Sequence, residues 1–191
     1  QNWERQALIR AQCISAEEGF ASLLNNQLNK LAYERPLAKD FRQNMHQIRQ
    51  QVIRERAKTG EGIFDIKLGK GALMDIEFTL HLIQLENSHL FNDLKLSPLF
   101  TLLEQLKKHQ LLNKEDLSLL TEAHIYYRTI ESMLHLFKKR SAATLKLDSD
   151  NFSKIRERLK ISSDEAFKDM LSELQNGVHQ IYNKTFKVQK T

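Results

Sequence analysis

The chain has 191 residues, 41% of them hydrophobic and 28% charged, so it can bury a core, and no apolar run reaches the ~18 residues of a membrane span. One cysteine, Cys13, excludes an internal disulfide framework and a cysteine-rich zinc site. A net charge of +5, spread along the chain, does not by itself point to nucleic acid, and six glycines with two prolines are too few for the turns of an all-β fold.

The opening Gln1-Asn2-Trp3-Glu4-Arg5 has no apolar signal segment, which argues against secretion. Helical spacing of Trp3, Ala7 and Leu8 predicts a first helix from Trp3 to about Ala11. Ser15 with Glu18 reads as a capping box, and the next helix places Phe20, Leu23, Leu24, Leu28 and Leu31 on one face. Pro36 is expected near the start of a third helix, with Phe41, Met45, Ile48 and Val52 as its buried stripe. In Thr59 to Gly71, Phe64, Ile66 and Leu68 alternate with Asp65 and Lys67, the period of an extended segment.

After Gly71 an apolar helix runs through Leu73, Ile76, Leu80, Ile83 and Leu85. Ser97-Pro98 predicts another helix start, ahead of Leu99, Leu102, Leu103 and Leu106. Asn113 and Asp116 cap the longest helix, with a stripe of Leu119, Ala123, Tyr126, Ile130, Met133 and Phe137. A polar loop from Thr144 to Asp150 precedes a short helix with Phe152, Ile155 and Leu159. Ser162 with Glu165 reads as a capping box for the last helix, which repeats Phe167, Leu171, Leu174, Val178 and Ile181. The expectation is an all-α bundle of about seven or eight helices with one short extended segment and a glycine loop near residues 60–72. It is read as one helical domain over 1–191: N-terminal helices at 1–58, the glycine-rich loop at 59–72 and the bundle at 73–191.

The segment from Phe64 to Phe78 is the richest in chemistry. An extended stretch, a glycine turn with Lys67 and Lys70, and a helix start would offer backbone N–H groups and cations to an anion. Taken on spacing alone, a glycine turn with a capping acid is more often a simple chain reversal without a ligand. Asp75 and Glu77, two apart, point about 200° away from each other on a helix and cannot share one metal. Arg42, His46, Arg49, Ile53 and Arg56 fall on one helical face, either the lining of a polyphosphate pocket or a solvated surface. Seven histidines without metal-ligand spacing, and no nucleophile elbow, P-loop or dinucleotide fingerprint, leave no catalytic group and no metal site in evidence.

Five collinear segments resemble the glutamine synthetase adenylyltransferase family. Trp3-Glu4-Arg5-Gln6-Ala7-Leu8-Ile9-Arg10-Ala11 is similar to the segment that follows that family's nucleotidyltransferase domain. Ile48-Arg49 with Glu55-Arg56 resembles its arginine-bearing helix, and Asp65 through Phe78 resembles its Lys-x-Gly-x-Gly-Gly…Asp-Ile-Glu-Phe signature, trailed by Gln84-Leu85. Ala123 to Leu134, with Tyr126, Arg128 and Ile130-Glu131, is similar to a further family helix. Ala72 replaces the signature's last glycine and His124 a tyrosine.

The resemblance implies a fragment of a larger cytoplasmic enzyme, the helical domain beside a nucleotidyltransferase domain in cis. That enzyme attaches AMP to, and removes it from, a glutamine synthetase tyrosine. Arg54-Glu55-Arg56 and Asp65-Ile66-Lys67 look more like the C-terminal, adenylylating half. It implies ATP and Mg²⁺ for the full-length enzyme but none required by this chain, which would be inactive alone. Its partners would be glutamine synthetase and the PII signalling protein, with no nucleic acid and no membrane. Lys67, Gly69, Lys70, Gly71, Arg49 and Arg56 would contribute to the nucleotide pocket, and Asp65, Asp75 and Glu77 would order the loop. Two alternatives are a docking module for glutamine synthetase or PII without nucleotide contact, and the related helical domain of a PII uridylyltransferase.

Overall fold

A computed structural model describes residues 2–9, 11, 13–15, 17–90, 99–137 and 143–187. Expectations for the Trp3 and Glu18 side chains and for Ser97-Pro98 lie outside the described residues. Among those described there are eight α-helices: α1 (Asn2–Leu8), α2 (Glu18–Asn29), α3 (Phe41–Arg56), α4 (Leu73–Glu86), α5 (Leu99–Lys108), α6 (Lys114–Phe137), α7 (Asp150–Arg158) and α8 (Asp164–Phe186). A π-helical turn, Lys30–Glu34, prolongs α2, and a 3₁₀ turn, Ser88–Leu90, follows α4. The protein is an all-α bundle.

The centre is α4. Its apolar residues are distributed all round the helix instead of along one stripe, and such a helix must be enclosed. It is, by α3, α5, α6 and α8. On one side Leu73, Ile76 and Leu80 join α5, α6, α7 and α8 in the larger core. On the other, Phe78, Leu82 and Leu85 meet Ile9, Phe41, Met45, Tyr182 and Phe186 in a second core. On α8, the expected Phe167, Leu171, Leu174, Val178 and Ile181 are all buried.

Several local expectations shift. Residues Ile63–Asp65 form β1, which pairs antiparallel with β2, Thr144–Lys146, matching Phe64 with Leu145. The polar loop expected from Thr144 therefore begins as a strand, because Leu145 fills the larger core. On α6 the buried face is centred on Tyr127 instead of Tyr126. Ser163, not Ser162, caps α8, accepting a hydrogen bond from the Ala166 amide at 3.1 Å. Asn113 caps α6 as expected, its side-chain oxygen 2.7 Å from the Asp116 amide. The N-cap of α2 is Glu17, not Ser15, without a side-chain capping bond, and Pro36 lies in the link before α3, whose N-cap is Asp40.

The apolar face expected of α2 is not buried: Phe20 is 59% and Leu23 60% exposed. No helix among the described residues is long and apolar enough to cross a membrane.

Candidate functional site

Three acidic and basic side chains bind the glycine loop from beneath. Asp65 ends β1 with its carboxylate turned inward, where Oδ1 accepts the amides of Lys67 (3.1 Å) and Leu68 (2.8 Å) and Oδ2 that of Lys58 (3.0 Å). Strand alternation would turn Asp65 away from the Phe64 side, yet both residues are buried, because backbone donors replace the water the carboxylate loses. Arg49 reaches the loop from α3. Its Nε donates to Asp75 Oδ1 at 2.6 Å, and its Nη2 to the carbonyls of Leu68 (3.1 Å) and Gly69 (2.7 Å).

Both side chains of this ion pair are fully buried. Asp75 Oδ2 accepts the Gly71 amide at 2.7 Å, and His179 Nδ1 of α8 lies 3.3 Å from the same oxygen. Tyr127 closes the loop from α6, donating to the Gly71 carbonyl at 3.0 Å. Burial, and then the Asp75 carboxylate, push its phenol pKa up, so it stays a donor. Gly71 has φ +69°, and a Cβ there would overlap the Gln175 carbonyl oxygen of α8.

This geometry revises how the loop could meet a ligand. The amides of Lys67, Leu68, Gly69, Gly71, Ala72, Leu73 and Met74 all donate within the protein. They form no open anion cradle, and Gly69 and Gly71 are buried. Arg49 is likewise committed to Asp75 and two carbonyls, so its guanidinium lines no surface pocket. The face read as a basic stripe is the inward face of α3, where Met45, Arg49 and Ile53 are buried. Arg42 pairs with Glu86 at 2.6 Å, and His46 Nδ1 lies 3.0 Å from the Tyr182 hydroxyl. Arg56, in the last turn of α3, is exposed.

The family described as GlnD PII-uridylyltransferase matches residues 38–186, most of the chain and all of the loop and its clamps. The chain belongs to this family. Similar proteins include the bifunctional glutamine synthetase adenylyltransferase/adenylyl-removing enzyme of Nocardia farcinica, 30% identical over 64% of this chain. Enzymes of the same name from Streptomyces coelicolor and Streptomyces avermitilis are 27% and 25% identical over 85% of it. The match spans only 12% of the Nocardia protein and 16% of each Streptomyces protein.

What this family member presents at the loop is a charged rim. Lys67 and Lys70 are exposed. Lys67 Nζ lies 3.6 Å from Glu131 Oε1 on α6. Glu77 pairs with Arg128 at 3.2 Å. His124, one turn before Arg128, has its pKa lowered by burial and then by Arg128, against Glu77, and its Nε2 is buried without a hydrogen-bond partner. No group of three or more His, Cys, Asp or Glu side chains among the described residues could hold a metal ion.

The pairing of Arg49 with Asp75 is not legible in the sequence, although Asp65 and Asp75 are expected there to order the loop. Arg49 and Asp75 are 26 residues apart, and nothing local links them. The one available signal was the placement of Arg49 between Met45 and Ile53, a charged residue in register with apolar ones.

Proposed function

We propose that the chain is the helical domain of a glutamine synthetase adenylyltransferase/adenylyl-removing enzyme, from its C-terminal, adenylylating half. It packs against a nucleotidyltransferase domain in cis, and Lys67 and Lys70 line the ATP pocket. The observation that carries this reading is the loop itself: two exposed lysines stand on a bend whose backbone is fixed by Asp65, Arg49 and Asp75. A fixed backbone leaves only the two lysine side chains to be ordered on meeting a polyphosphate, which lowers the entropic cost of binding. Mg²⁺, held by acidic residues outside this chain, would supply charge stabilisation for adenylyl transfer to the glutamine synthetase tyrosine. Gly69, Gly71, Arg49, Asp65 and Asp75 support the rim from below.

The test is Lys67→Ala in the full-length enzyme. A loss of about tenfold in kcat/KM for adenylyl transfer is expected, the scale of one charge-assisted contact. Wild-type kinetics would remove the pocket role.

A second reading is favoured by the exposed face of α2. Phe20 and Leu23 would there dock glutamine synthetase or PII, with no nucleotide contact at the loop. The name of the matched family also admits the corresponding domain of a PII uridylyltransferase. Retention of this chain on immobilised glutamine synthetase or PII without nucleotide, abolished by Leu23→Glu, would favour docking.

A further inference from the structure

Glu131 is a largely buried carboxylate, its side chain 11% exposed, on the face of α6 that meets the glycine loop. Each of its oxygens holds a different cation. Lys67 Nζ lies 3.6 Å from Oε1, and Arg128 Nη1 donates to Oε2 at 2.8 Å. Arg128 is also gripped from α4, where Glu77 accepts from its Nη2 at 3.2 Å. Both cations keep an open side, with side-chain exposures of 50% for Lys67 and 44% for Arg128.

An i,i+3 ion pair on a helix surface contributes a few tenths of a kcal/mol and leaves both partners free to move. This one differs, because its acid is buried and its base is fixed by a second carboxylate on another helix. The ammonium and the guanidinium are therefore held side by side, one on each oxygen of the same group, although they repel each other. A flexible lysine and a flexible arginine would otherwise separate.

We infer that Arg128 is a second phosphate-binding cation beside Lys67, with Glu131 and Glu77 as the residues that position the pair for a polyphosphate. The inference rests on the proposed nucleotide role of the loop and extends it to α6. Guanidinium N–H groups suit a phosphate bidentately, whereas Lys67 adds a point charge.

The experiment measures binding of inorganic tripolyphosphate and of adenosine to the full-length enzyme carrying Lys67→Ala, Arg128→Ala or Arg128→Lys. Arg128→Ala should weaken tripolyphosphate about tenfold, one ordinary charge-assisted contact, and leave adenosine unchanged. Arg128→Lys keeps the charge without the fork and should lose about threefold, a value between wild type and Arg128→Ala. It also serves as the readout if Arg128→Ala folds poorly. Equal losses for tripolyphosphate and adenosine would make the network a structural lock and overturn the inference. An effect of Lys67→Ala without one of either Arg128 variant overturns the inference alone. No effect at either position overturns the nucleotide role of the loop as well.

Discussion

Asp75 is where the loop, α3 and α8 meet. Its two oxygens take the Arg49 guanidinium and the Gly71 amide, with His179 facing the second. A buried ion pair is weak support while intact, because desolvation offsets most of the attraction, but losing one member strands the other. Asp75→Ala should therefore cut the urea-unfolding free energy by about 3–5 kcal/mol, and Arg49→Met in the same chain should recover part of that loss. Gly71→Ala is expected to cost more than the roughly 1–2 kcal/mol of a left-handed backbone alone, since its Cβ would also displace Gln175. Equal midpoints for wild type and Gly71→Ala in a urea titration would contradict this account.

Helices of similar amphipathic pattern meet different fates here. α8 buries the face its spacing predicts, whereas α2 leaves Phe20 and Leu23 in solvent. Leu23→Gln should accordingly change stability by no more than about 0.5 kcal/mol, while Leu80→Ala, at the centre of α4, should cost about 2–5 kcal/mol. Chemical denaturation of both variants decides the comparison, and a destabilised Leu23→Gln would mean that α2 has a partner within this chain. α4 was legible as an apolar helix that must be enclosed, but which four neighbours enclose it follows only from assembly. β2 shows the same limit: a three-residue strand in a polar stretch has no period to detect, and Leu145 pairs with Phe64 across 80 intervening residues.

At the scale of the molecule, two half-buried histidines set an expected acid sensitivity. Burial lowers the pKa of His46, with Asp75 opposing and His179 adding to the shift, and burial followed by Arg128 lowers that of His124, with Glu77 opposing. A group whose folded pKa is depressed binds fewer protons in the native state, so stability is lost as pH falls from the unfolded value near 6.5. The melting temperature should drop between about pH 7 and pH 5, and His46→Gln should flatten that slope. A profile unchanged by His46→Gln would assign the effect elsewhere.

Read alone, the amino-acid order determined the fold class and nearly every helix, because helical period is a property of neighbours three and four positions apart. It also singled out the loop through the crowding of Gly60, Gly62, Gly69 and Gly71 around two lysines. Only the tertiary structure decided that Arg49 turns inward, that the loop amides are engaged by the protein, and that Lys67 and Arg128 converge on Glu131. Those outcomes depend on which side chains meet across dozens of residues, and whether a charge is solvated or paired is settled only when the helices close around it.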